Sequence, residues 1–268
     1  GAGKTTTIRL LCGLLRPDAG RISVMGLDPV RQHHRVTDVI GYLSQRFSLY
    51  GDLSVDENIA FFAEIHGVRE YHARRDRLLD LTQLAPFRRR LADKLSGGMK
   101  QKLALACTLV HEPELIVLDE PTTGVDPVSR REFWKLLSEF LSLGITILMA
   151  TPYLDEAERC SRVALLHEGA LLALDTPGAL RASMPGELVE IITDDHRAAH
   201  GVLSRLPGVT SVQLFGERAH VRLDEPAAAS AERLATVLAA ADITVQGIRT
   251  VSPSLEDVFI ARLDESRS

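Results

Sequence analysis

The sequence predicts an α/β fold joined to a smaller α+β unit, on three observations. Short apolar runs at 40–44, 115–118 and 145–150 alternate with stretches of helical periodicity, the pattern of parallel strands packed between helices. The chain opens on Gly1-Ala2-Gly3-Lys4-Thr5-Thr6, a glycine-rich entry to a helix of the kind that holds phosphate. Beyond Pro185-Gly186 the periodicities run βαββαβ, which predicts a ferredoxin-like unit.

Composition narrows the function classes. The 268 residues are 45% hydrophobic and 25% charged, ordinary for a globular chain large enough to divide into two units. A net charge of −5 argues against a nucleic-acid partner, because affinity for phosphate backbones depends on a basic surface. No apolar run approaches the roughly 20 residues needed to span a bilayer, so any membrane role is expected to use a partner chain. Cys12, Cys107 and Cys160 have neither metal-site nor disulfide-framework spacing and read as reduced core cysteines of a cytoplasmic protein.

The elements follow in order. Gly1 to Thr6 is the second half of the pattern G-x-x-x-x-G-K-[ST], and the chain is expected to be a fragment that starts inside it. Backbone N–H groups from Gly3 onward cradle phosphates in that pattern, Lys4 reaches the β- and γ-phosphates, and the Thr5 hydroxyl ligates Mg²⁺. A helix is expected over 6–15, ended by Gly13 and Pro17, then a short strand over 21–24 in an antiparallel subdomain. The strand at 40–44 delivers Gln45 to the ligand-binding edge of the sheet. From 55 to 91 the pattern is helical, with Ile59, Phe62, Ala63 and Ile65 on one face. Arg74, Arg75, Arg77, Arg88, Arg89 and Arg90 read as a solvated helix face.

Ser96-Gly97-Gly98 opens the next helix, whose unpaired N–H groups and positive dipole end receive an anion. Pro113 stops it, and the strand 115–118 carries Asp119 and Glu120 at its carboxyl end, a pair suited to a divalent metal and a general base. A helix over 129–143 and a buried strand over 145–150 follow. Strands at 162–167 and 170–174 and a helix at 176–184 complete the larger unit, expected to cover 1–185 with a helical subdomain at about 54–110. The smaller unit covers 187–268: strands 188–193, 210–215, 219–223 and 243–250, helices 195–206 and 227–240, and a terminal helix after Ser252-Pro253-Ser254.

LSGGMKQ (95–101) resembles the signature motif of ATP-binding-cassette (ABC) ATPases, LIVLDEP (115–121) their Walker B strand, GVDP (124–127) their D-loop, and GYLSQRFSLY (41–50) their Q-loop. The ending PSLEDVF (253–259) is similar to that of ATPase subunits of ABC-2-type exporters, and QRFSLYGDLSVDENI and TPYLDEAERC resemble the first half of tandem multidrug-efflux members. The resemblance covers 1 to about 264 and implies a P-loop NTPase core that hydrolyses ATP with Mg²⁺. It implies phosphate contacts from Gly1, Ala2, Gly3, Lys4, Thr5 and Thr6, and metal contacts from Thr5, Gln45 and Asp119. Glu120 and Gln45 handle the attacking water, while Ser96, Gly97, Gly98 and Asp126 contact nucleotide across a sandwich of two cassettes.

The implied partners are a second cassette, in a homodimer or a tandem chain, and an ABC-2 membrane subunit at the cytoplasmic face of the bacterial inner membrane. Phe47, Leu49, Tyr50 and Leu53 are candidates for the socket of that subunit's coupling helix. The sequence departs from the family at Pro152, where a histidine that contacts the γ-phosphate is usual. Two further readings therefore stay open: a cassette that holds ATP as a clamp with little hydrolysis, and a soluble ABC ATPase without a transport role.

Overall fold

Leu115 to Leu118 offer solvent no polar side chain, and the strand they form, β2 (Leu115–Asp119), is buried along its whole length. The computed structural model describes residues 1–45 and 48–267. β2 lies between β1 (Ile40–Leu43) and β3 (Thr146–Ala150) in a parallel sheet of order β1-β2-β3. Its alternating side chains serve two cores. Ile116 and Leu118 join Leu103, Ala106, Phe133, Leu137 and Phe140 on one face, while Leu115 and Val117 join Ile8, Cys12, Val36 and Ile40 on the other.

Helices α1 (Lys4–Leu11) and α2 (His33–Val39) cover the second face. The first is packed by α3 (Val55–Ile65), α4 (His72–Leu81), α5 (Gly97–Leu109) and α6 (Pro127–Ser142). Helix starts are set by short polar side chains. Ser54 and Glu57 form a reciprocal capping box on α3, Ser96 Oγ accepts from Met99 N on α5, and Asp126 caps α6 ahead of Pro127.

Contacts divide the chain into residues 1–153 and 154–268. The second unit contains α7 (Leu154–Ala157), the hairpin β4 (Val163–His167) and β5 (Ala170–Asp175), and α8 (Pro177–Ala182). It continues through β6 (Glu187–Thr193), α9 (His196–Leu203), β7 (Val209–Phe215), β8 (Arg218–Leu223), α10 (Ala227–Ala240), β9 (Val245–Val251) and α11 (Leu255–Arg267). The antiparallel sheet order β7-β8-β6-β9 is that of a ferredoxin-like fold.

Several sequence expectations need correction. Residues 21–24 form no strand, only a bridge between Val24 and Leu27 around a turn in which Met25 has a φ of 51°. Ile65 is 61% exposed, because six residues after Ile59 and two after Ala63 it falls on the opposite side of α3 from them. The strand 145–150 is parallel as expected but is an edge of the three-stranded sheet, with Leu148 exposed. The arginines are not uniformly solvated: Arg74 donates to Val110 O and pairs with Glu112, and Arg88 joins Asp56 and Asp76. The contact division after Tyr153 has a packing cause. Leu165, Leu180 and Met184 share one core with Leu188, Leu255 and Val258.

Candidate functional site

Gly3 adopts a left-handed φ of 93° to turn the chain into α1 and supplies no side-chain cap, so the first N–H groups of that helix stay available to an anion. One residue into the helix, Thr5 Oγ1 donates to Asp119 Oδ1 at 3.1 Å, across 114 residues of sequence. Helix α1 packs on the face of β2 that carries Leu115 and Val117, which brings its first turn to the carboxyl end of the strand. Asp119 lies opposite Ala150 at the carboxyl end of β2, and Glu120 N extends the pairing by donating to Ala150 O at 2.9 Å.

Asp119 is buried, and burial pushes its carboxyl acidity weaker than usual; the Thr5 hydroxyl bond opposes this, Glu120 adds to it, and Arg9 and Lys4 work against it. Glu120 has a φ of 50°, unusual for a residue with a side chain. Its Oε2 accepts from Gln45 Nε2 at 3.2 Å and from Thr123 Oγ1 at 3.3 Å. Gly1 to Thr6, Gln45, Asp119 and Glu120 thus assemble around one edge of the sheet, as the rule for open α/β sheets requires.

Ser96, Gly97 and Gly98 form a separate cluster at the start of α5. Gly97 has open space around its α-carbon, whereas Gly98 is pressed on α6: an added Cβ would lie 2.5 Å from Ser129 Oγ. Asp126 commits its carboxylate to α6, where Oδ1 accepts from Val128 N and Ser129 N, both at 3.0 Å. Bonds from the Ser129 side chain and backbone hold its acidity stronger than usual. Pro152 follows β3 at the same sheet edge as Glu120 and brings no hydrogen-bond donor there. Of the socket candidates, Leu49 packs on the main core and Tyr50 is exposed; Phe47 lies outside the described residues.

Sequence reasoning missed Thr123, Gln101 and Ser129. Thr123 stands three residues after Glu120 in a turn, a spacing that invites a side-chain bond back. Gln101 donates to Pro121 O from the signature helix, a contact with no local signal. Among the described residues no helix is long and apolar enough to cross a membrane, and no three His, Cys, Asp or Glu side chains converge on a metal site.

Comparison with known proteins identifies the family. The ABC transporter family model matches residues 1–123, and the C-terminal domain model of DrrA1-3-like ATP-binding proteins matches 176–262. The chain is 44% identical over 266 residues to the probable multidrug ABC transporter ATP-binding protein YbhF of Escherichia coli, covering 97% of this chain and 45% of that one. It is 36% identical over 273 residues to the daunorubicin resistance ATP-binding protein DrrA3 of Streptomyces coeruleorubidus, covering 100% of this chain and 85% of the relative. The chain therefore spans less than half of one relative and most of the other.

A solved ATP-binding subunit of an ABC transporter superposes with a TM-score of 0.61 at 32% identity, covering 68% of this chain and 77% of that one. CbiO1 of Clostridium perfringens, part of the ABC transporter complex CbiONQ, gives 0.60 at 30% identity, covering 77% and 80%. The glycine turn into α1, the paired carboxylates, the fold and the relatives converge, and the chain belongs to the ATP-binding protein family of ABC transporters.

Proposed function

We propose that this chain is the ATP-binding and ATP-hydrolysing part of an ABC-2-type exporter, driving efflux of drugs or other small molecules through a separate membrane subunit. The observation that carries the reading is the joint placement of Thr5 on Asp119 at 3.1 Å and Gln45 on Glu120 at 3.2 Å, beside the amide-rich start of α1. The multidrug and daunorubicin-resistance relatives support the choice of exported substrate class. On this reading the chain works at the cytoplasmic face of the bacterial inner membrane, with no nucleic-acid partner.

The residues fit Mg²⁺ and a nucleoside triphosphate. Thr5 and Asp119 offer hard oxygen donors, and Asp119 is a buried carboxylate whose weakened acidity marks a place where a cation replaces lost solvation. Mg²⁺, when bound, neutralises charge that develops on the phosphoryl oxygens. Lys4 and the amides from Gly3 to Thr6 hold the triphosphate; Gln45 and Thr123 orient Glu120, and Glu120 polarises the attacking water. Ser96 to Gly98 lie on a different helix start and serve the nucleotide of a second cassette, in another copy or in the same polypeptide. Asp126, committed to capping α6, shapes the D-loop turn rather than reaching for nucleotide.

A second reading has its own observation. Pro152 supplies no donor where a histidine is usual, which favours slow turnover and an ATP-held clamp. Steady-state ATPase rates and light scattering of the full-length protein and its Glu120→Gln variant test both readings. Exporter function predicts Mg²⁺-dependent hydrolysis, lost in the variant, which instead accumulates as an ATP-bound sandwich. Failure of ATP to bind overturns both readings.

A further inference from the structure

Gln101 lies on α5 with no solvent exposure. A buried amide is repaid only where its polar atoms find partners. Here Nε2 donates to the carbonyl of Pro121, while Oε1 is buried with no partner among the described residues. An apolar side chain would fill the same space without an orphaned acceptor, so packing alone does not account for glutamine. What the amide adds is one specific contact with the turn that carries Glu120.

That turn is unusual. Glu120 sits in the left-handed region at φ 50°, a conformation that persists only where the surroundings hold it. Ala150 O receives the amide of Glu120, and Glu120 O receives that of Thr123 at 3.2 Å. Gln101 adds a grip on the next carbonyl, that of buried Pro121. Gly98, one turn earlier on α5, is pressed on Ser129, whose amide is bonded to Asp126. The first two turns of α5 therefore meet Pro121 directly and Asp126 through Ser129.

We propose that Gln101 is a positioning residue that holds Glu120 through the Pro121 carbonyl and couples the Ser96–Gly98 cluster to it. The inference rests on the reading of Glu120 as the group that polarises water. In a sandwich of two cassettes, Ser96 serves one nucleotide and Glu120 the other. Gln101 then links the two ATP sites within a single chain.

The test uses the full-length protein with Gln101→Leu, which removes donor and orphan together, and Gln101→Glu, which keeps the shape without the donor. Gln101→Met is the substitute if Leu does not fold. Melting temperature, kcat and KM for MgATP, and amide hydrogen exchange of 119–126 in nucleotide-free protein are measured. Expected are an unchanged or higher melting temperature for Gln101→Leu and a lower one for Gln101→Glu, whose buried carboxylate has no donor; in both, exchange of that segment is faster and kcat falls about tenfold with KM within about twofold. Wild-type ATPase activity together with unchanged exchange and kcat in the variants overturns the inference alone. So does a fall in kcat of Gln101→Leu that only tracks a fall in its melting temperature. A wild-type protein that hydrolyses no ATP removes the functional reading and the coupling with it.

Discussion

His220 bridges two buried carboxylates, and replacing it with leucine isolates the cost of that arrangement. Nδ1 lies 2.8 Å from Asp257 Oδ1 on α11, and Nε2 lies 3.5 Å from Glu190 Oε2 on β6. Arg218, at 3.2 Å, and Arg249, at 2.7 Å, also pair with Glu190; Arg222 is the further cation on β8. Asp257 Oδ2 accepts from the amide and hydroxyl of Ser254 at 2.8 and 2.6 Å. Breaking a buried pair costs about 3–5 kcal/mol. The remaining arginines and Ser254 still compensate both acids, so His220→Leu is expected to cost about 3 kcal/mol, the low end of that range.

The pH dependence has a definite sign. The Asp257 bond raises the His220 pKa despite burial, with Glu190 adding to the rise. Its contribution is full below the ordinary value of about 6.5 and disappears as pH rises through the raised folded value. Burial weakens Glu190 and Asp257 as acids, but their bonds to Arg249 and His220, and to His220 and Ser254, lower both pKa values overall. Their contribution is present above the ordinary carboxylate range and lost as pH falls through the depressed values. Urea titrations read by pulsed hydrogen exchange of α11 should show greatest stability between about pH 4.5 and 6.5, with that dependence reduced in His220→Leu. Wild-type stability that rises from pH 6 to pH 9, or a variant equal to wild type at pH 6, refutes the account.

Other substitutions test packing and site chemistry. Gly98→Ala sets a Cβ 2.5 Å from Ser129 Oγ and should cost about 1–3 kcal/mol in urea melts followed by Trp134 fluorescence, with Ser129→Gly restoring much of it. Phe133→Ala removes a fully buried ring from the core on one face of β2 and should cost about 3–5 kcal/mol in the same melts. Pro152→His in the full-length protein restores a donor beside Glu120; loss of one such donor is worth about a hundredfold in rate, and steady-state ATPase should rise toward that limit. A rate unchanged by the histidine, yet abolished by Glu120→Gln, shows that another group fills the role.

Local pattern carried much of the fold. The apolar run 115–118, the proline and glycine stops, and Ser96 at the opening of α5 are signals read within a turn or two of their effect, and the helices and strands stand close to where those signals place them. Motif spacing named Thr5, Gln45, Asp119 and Glu120, which meet in pairs at one sheet edge, because a glycine turn into a helix and a sheet edge constrain residue type locally. The 21–24 strand failed for the converse reason: a short β-prone run becomes a strand only where a partner strand takes its hydrogen bonds, and those residues have none beyond the Val24–Leu27 bridge. Tertiary structure alone brought Thr5 to Asp119 across 114 residues, because α1 packs on one face of β2 with its first turn at the carboxyl end of that strand. It alone seated Gly98 on Ser129, set the Gln101 amide against the Pro121 carbonyl, and placed His220 between two acids on different elements. Such contacts join residues whose sequence neighbours carry no trace of each other, and only the packed chain selects among them.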